Sequence, residues 1–388
     1  MSEHVVLAKQ KPASRHALNV LIVVPSRVGG TVQYSHNLAN ALSDLGHRVV
    51  LATSLDFEMA RFDRRYETVE VFDRFRPHPG PIRKFLKKVS HLQPDIIHFQ
   101  GAQRPEFYLM LQALLARMTS AKFIWTPQDV LSNSQKVWHV RMLRRTYARM
   151  SHVFLNANQN FGVVTDLFHV PADRVEVLPI PEYLSFVREE LDSELPPELT
   201  LDTDKPLVLC FGLIEERKGV DTLLEAFSRL RKKGVSARLL VMGSSLMDIR
   251  PLHKDIERLG LTGDVQIIDR YASFEEMNGL FGLAHHVVMA YHRGWNSGVL
   301  TTAFGYGKPV IASTVGGFDE LVSDGKSGLL VPPKDPDALA LSIERMLSDP
   351  TAYAQMRKGA RQASSVGSWP ELAAKTEDAY RLALAPVA

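Results

Sequence analysis

The chain has 388 residues, 45% of them hydrophobic and 23% charged, with a formal net charge of +3. This is the composition of an ordinary globular protein long enough for two domains, and so small a net charge gives no argument for a nucleic-acid partner. The single cysteine, Cys210, excludes a disulfide framework and fits a reducing cytoplasm, and no apolar run approaches the roughly 18 residues of a membrane-spanning helix.

Residues 1–17 lack the apolar core of a signal peptide and are expected to form a loose leader. Leu18 to Pro25, LNVLIVVP, is a continuous apolar run, the pattern of a buried parallel strand. Ser26 to Gly30 form a loop. TVQYSHNLANALSDLGH then carries apolar residues at helical spacing and stops at Gly46. RVVLATS is the second strand. Strand, Gly29-Gly30 loop, helix and strand make an open α/β unit with its ligand edge at the strand carboxyl ends. Adjacent glycines permit close backbone approach to a ligand; a turn serving only packing is the plainer alternative. The spacing is not GxGxxG, and no NAD is inferred.

Two basic stripes follow in this half. Arg83, Lys84, Lys87 and Lys88 share a predicted helix with Ile82, Phe85 and Leu86, and Arg141, Arg144, Arg145 and Arg149 stud another. Each is either a solvated face or a contact for an anionic membrane surface. Between and after them DIIHFQG, FIWTPQDV and HVFLNAN read as strands, with His98 expected to be a satisfied core residue. From Val175 to Pro206 the composition shifts to proline and acid without a long apolar period. This is read as the interdomain linker, with the domain boundary set at 183.

The second half repeats the architecture. LVLCFG, ARLLVMGSS and DVQIIDRY are strands. VDTLLEAFSRLRKKG is an amphipathic helix, and Ser273 with Glu276 forms a predicted capping box. HVVMA is a further strand, broken by Gly294 to Ser297. Ser297 and Gly298 open a helix that ends at Gly307-Lys308-Pro309, and VIAS and a Gly316-Gly317 loop follow. A small-residue loop at a helix start points free N–H groups and a positive dipole end at one spot, a place for a phosphate. DPDALALSIERMLSDP and SWPELAAKTEDAYRLALA are the last predicted helices. Asp202-Thr203-Asp204 has the spacing of a DxD metal motif but falls in the linker, where chance explains it, so no metal site is expected.

The run GYGKPVIAS, the later GG and EL pairs and GLLVPP, with GG.......LA..L...GH.V near the start, resemble glycosyltransferase family 4 over nearly the whole chain. The resemblance implies a GT-B fold: two Rossmann-like domains facing across a cleft, at 18–182 and 207–365, with a 183–206 linker and a 366–388 helix crossing back onto the first domain. It implies a nucleotide-diphosphate sugar donor, a saccharide or lipid-linked acceptor at the inner membrane face, no metal, and mostly retention of anomeric configuration. The family's donor loop G-R-L-x-x-x-K-G corresponds here to Gly212 through Gly219. Lys218 matches, Leu213 replaces the Arg, and the neighbouring Arg217 is the substitute cation, both placed to stabilise charge developing on the leaving phosphate. Ser297, Gly298 and Val299 would meet the diphosphate, Asn296 a sugar hydroxyl, Gly29, Gly30 and Gly243 the donor by close backbone approach, and Arg270 and Tyr271 the base; for Arg270 a surface ion pair is the alternative.

Four family side chains are absent. Gly294 and Thr302 stand at the two glutamates, with Thr302 left to hold the ribose, and Gln128 stands at the His. Asp129 is the nearest candidate base. Glu320 is expected to be a helix cap before anything else. Two other readings stay open from sequence: a degenerate transferase that binds without catalysis, and a nucleotide-sugar epimerase on the same fold.

Overall fold

The computed structural model describes residues 16–386 except 74, 75, 78, 102, 103, 129, 131–136, 203, 295, 296 and 366. Two sheets organise them. The first contains β1 (Asn19–Val24), β2 (Arg48–Ser54), β3 (Glu67–Asp73), β4 (Arg76–Pro77), β5 (Ile96–Gln100), β6 (Lys122–Thr126), β7 (His152–Leu155) and β8 (Val175–Val177), in the order β4-β3-β2-β1-β5-β6-β7-β8. All its pairings are parallel except β3 with β4. The second contains β9 (Leu207–Phe211), β10 (Arg238–Met242), β11 (Val265–Ile268), β12 (His286–Met289), β13 (Val310–Ser313) and β14 (Gly328–Val331), in the order β11-β10-β9-β12-β13-β14, all parallel.

The apolar runs form these strands because both faces of each sheet are covered. β1 is buried from Val20 through Val24, and β10 over its whole length. Strand order reverses between β1 and β5 in one sheet and between β9 and β12 in the other. A crevice opens beyond the carboxyl ends at each such switch point. The loops leaving β1, β9 and β12 therefore carry the candidate ligand residues, and the two crevices face one another.

Two departures from the sequence reading are local. Val175–Val177, read as linker, is the edge strand β8, and Ser185–Glu190 further along is a helix. Both are short, with no room for a period. Glu320 does cap a helix, but one in the other lobe. Its carboxylate accepts the backbone N–H groups of Asn158 and Gln159, each at 3.1 Å, at the start of the Gln159–Gly162 helix.

The lobes are tied further by the Trp369–Leu384 helix, which packs against the Gly30–Asp44 helix of the first lobe. Trp369 meets the Tyr34 ring edge-on at 5.3 Å. His98 is a core residue with both nitrogens engaged, Nδ1 with the Tyr380 hydroxyl at 2.6 Å and Nε2 with Thr126 Oγ1 at 2.7 Å. Among the described residues no helix is long and apolar enough to cross a membrane.

Candidate active site

A cavity of about 220 Å³ lies between the lobes. From the first lobe it is lined by Gly29, Gly30 and Gln33, and from the second by Gly212, Arg217, Lys218, Gly243, Tyr271, Gly298, Val299 and Thr302 among others; Tyr183, in the segment joining the lobes, completes it. Ten of the residues singled out in the sequence thus meet at one place. Arg270, Gln128 and Ser297 do not line it, and Asp129 and Asn296 lie outside the described residues.

Glycine is required where the backbone folds back on itself. At Gly219 φ is 66° and a Cβ would meet the Ala290 carbonyl oxygen at 2.0 Å; at Gly243 a Cβ would meet the Gly212 carbonyl oxygen at 2.0 Å. These close approaches bring the β9 loop against the ends of β12 and β10 and hold Lys218, at the end of a 3-10 turn, at the cavity.

Lys218 is buried. Its ammonium donates to the Tyr291 hydroxyl and lies 4.0 Å from the centre of that ring. The Tyr291 hydroxyl in turn lies 3.2 Å from Ser297 Oγ. Lys218, Tyr291 and Ser297 therefore form one polar chain from the cationic turn to the start of the Gly298–Gly305 helix. No described carboxylate lies within 4.0 Å of the ammonium, so its charge is held by the aromatic face and hydroxyl of Tyr291. Arg217 is paired with Glu215 at 2.6 Å. Thr302 donates to the Gly298 carbonyl at 2.8 Å, so its hydroxyl hydrogen is already committed within the helix.

The Gly30–Asp44 and Gly298–Gly305 helices both begin at the cavity, and at neither does the N-cap residue's own side chain accept a helix N–H. Beside the first of them the Glu58 carboxylate accepts the Gly29 N–H at 2.6 Å, Gln33 Nε2 at 3.1 Å and, across the cleft, the Tyr271 hydroxyl at 2.9 Å. Burial raises the Glu58 pKa above its ordinary value, against the pull of these hydrogen bonds. Nearer the rim, Arg61 and Glu275 join the lobes by two hydrogen bonds of 2.8 and 3.1 Å.

Arg270, offered as a contact for the base, is turned away as a surface ion pair: Glu198 holds it at 2.7 Å and Glu276 at 2.6 Å. Glu276 is drawn there because it also closes the capping box with Ser273. Glu58, Tyr183 and Tyr291 stand in none of the motifs that the sequence displays. Tyr291 stands two residues beyond the end of β12, the position that faces a switch-point crevice, and that position was its available signal. Among the described residues no group of three or more His, Cys, Asp or Glu could hold a metal ion.

Two parallel α/β lobes that set their switch points against each other, with a cationic turn and open helix starts between them, define a glycosyltransferase of the GT-B architecture. Residues 28–181 match the model of Glycosyltransferase Family 4 and residues 192–363 that of Glycosyl transferases group 1. A D-inositol 3-phosphate glycosyltransferase from Frankia alni is 31% identical over 58% of this chain and 58% of its own length. The chain spans about half the length of several other curated relatives. An uncharacterized glycosyltransferase from Methanocaldococcus jannaschii is 24% identical over 93% of this chain and 96% of its own. Among solved structures, Anabaena HepE in complex with UDP superposes with a TM-score of 0.73 at 18% identity, covering 92% of this chain and 99% of that one, a likeness of fold. The chain belongs to the family 4 glycosyltransferases that these two family models describe.

Proposed function

We propose that the chain transfers a sugar from a nucleotide-diphosphate donor, held mainly by the second lobe, to a saccharide or lipid-linked saccharide acceptor held mainly by the first. The observation that carries this reading is the convergence of Lys218 and the Gly298 helix start on a cavity closed from the other side by Gly29 and Gly30. A diphosphate there meets a buried cation and free backbone N–H groups together. HepE, solved with UDP, supports a nucleotide donor in the corresponding fold.

In the reaction the bond between the anomeric carbon and the phosphate oxygen breaks, and its electron pair passes to the departing diphosphate. Lys218 stabilises that charge, and the Gly298 helix start adds its dipole, without a metal. The acceptor hydroxyl oxygen bonds to the anomeric carbon from the face that the diphosphate leaves, with retention, and its proton goes to the departing phosphate. Lobe closure around the donor excludes water.

We further propose a cytoplasmic protein that touches anionic membrane peripherally. On the Pro79–Leu92 helix Arg83, Lys84 and Lys87 are exposed, and on the Val137–Tyr147 helix Arg141, Arg144 and Arg145 are. Co-sedimentation with vesicles containing anionic lipid, lost at high salt, tests this.

A thermal-shift panel of nucleotide sugars tests the donor. A stabilising shift with one of them, followed by transfer to an acceptor or slow sugar release without one, is expected. No shift with any of them removes the reading.

A further inference from the structure

Tyr183 lines the cavity, yet the reaction above gives it no part. It stands between β8 and β9 in the segment that passes from one lobe to the other, and it is only 3% exposed. Its ring is wedged between the starts of two helices from different lobes. A Cβ at Gly30 would lie 3.5 Å from the phenol oxygen, and a Cβ at Gly298 would lie 2.3 Å from Cε2. The ring stacks near-parallel with Trp369, centroids 6.4 Å apart, and the Tyr183 carbonyl accepts Asn37 Nδ2 at 3.1 Å. Ring and backbone are both held.

The hydroxyl is not. Among the described residues it has no hydrogen-bond partner, although the side chain is almost wholly buried and borders the cavity. Phenylalanine would fill the same space, so the oxygen adds nothing to the packing and is presented to the cavity. At the two helix starts on either side the N-cap residue's own side chain accepts no helix N–H. All three features are donors, and a ligand that satisfies them together is an anion.

We propose that the Tyr183 hydroxyl binds the donor's diphosphate, donating a hydrogen bond to a phosphate oxygen held between the two opposed helix starts. The assignment rests on the nucleotide-sugar reading of the cleft. Burial raises the phenol's pKa well above its ordinary value, so at neutral pH the group is a donor and not a base. Because Tyr183 belongs to the crossing segment, the phosphate it holds touches both lobes at their junction.

The test compares wild type with Tyr183→Phe, which keeps the ring and removes only the unpartnered oxygen. Each is titrated with UDP, GDP and ADP and with the matching nucleosides, and each is melted without ligand. One diphosphate is expected to bind wild type and to bind the variant about ten- to a hundred-fold more weakly, the range of a hydrogen bond to a charged group. The matching nucleoside is expected to bind both proteins alike, and the ligand-free variant to melt at or above wild type. Equal diphosphate affinity overturns the assignment and leaves the nucleotide-sugar reading standing. Equal losses for nucleoside and diphosphate overturn it too, since Tyr183 would then only shape the pocket. A variant that melts well below wild type shows that the hydroxyl has a structural partner, with the same consequence. If wild type binds none of the three diphosphates, the nucleotide-sugar reading itself falls and takes this proposal with it.

Discussion

The Lys218 ammonium lies 4.0 Å from the centre of the Tyr291 ring and donates to the hydroxyl of the same residue. A buried lysine held by an aromatic face rather than by a carboxylate keeps its charge available to an incoming anion. Lys218→Ala is therefore expected to lower kcat/KM by about 10²–10³, the scale of losing one preorganised charge-stabilising group, with the melting profile little changed. Steady-state kinetics with the donor found in the panel would check this. Turnover close to wild type would remove Lys218 from the donor site.

Glu58 and Tyr271 hold the lobes together from inside the cleft. Glu58→Ala leaves the Gly29 N–H and the Tyr271 hydroxyl without their acceptor. A loss of about 1–3 kcal/mol in unfolding free energy is expected, with a larger radius of gyration in X-ray scattering as the lobes part. The more exposed Arg61–Glu275 pair is expected to contribute less than about 1 kcal/mol when cut by Arg61→Ala, and less still in salt. Equal effects from the two variants would argue against Glu58 as the stronger tie.

Gly30 and Gly298 face the same tyrosine with different clearances. A methyl at Gly298 would lie 2.3 Å from the Tyr183 ring, whereas one at Gly30 would sit in ordinary contact at 3.5 Å. Gly298→Ala should cost about 1–3 kcal/mol through overpacking. Gly30→Ala, at a helix start without positive φ, should change stability by no more than about 0.5 kcal/mol while weakening donor binding. Urea titrations of both variants separate these outcomes.

Buried histidines predict the pH profile. Burial holds the pKa of His98 down to about 3 and those of His36 and His152 to about 4. In the unfolded chain each titrates near about 6.5. Between roughly pH 6.5 and 4 the unfolded chain binds more protons, so stability is full above that range and falls as pH drops through it. Each histidine contributes at most ~1.4 kcal/mol per pH unit. Unfolding free energies measured from about pH 7.5 to about pH 5 should decline; a flat profile would mean that these rings are not held neutral.

The strands of the two sheet centres were readable because an apolar run covered on both faces needs no partner to declare itself; β1, β9 and β12 are of this kind. The capping box at Ser273 was readable because both of its members lie within one turn. β3 was missed because its residues, ETVEVFD, include charged and half-buried positions near the sheet edge, and β8 because three residues hold no period. In the site, Gly219 was readable because it ends a loop pattern, although the contacts that require it and Gly243, with Ala290 and Gly212, are distant in the chain. Tyr183 was not readable, since what gives it meaning is the meeting of Gly30 and Gly298, which are far apart in the chain. Glu58 acquires its role in the same way, from Gly29 and Tyr271.

The Trp369–Leu384 helix belongs by contact to the first lobe, although it is encoded after the second. On the ribosome, then, the Gly30–Asp44 helix emerges long before Trp369 can reach Tyr34, and His98 waits as long for Tyr380. The first lobe has to hold an unfinished apolar face through the whole synthesis of the second. The molecule closes as a unit only when that late segment arrives, so a nascent chain halted after β14 would expose the surface that chaperones recognise.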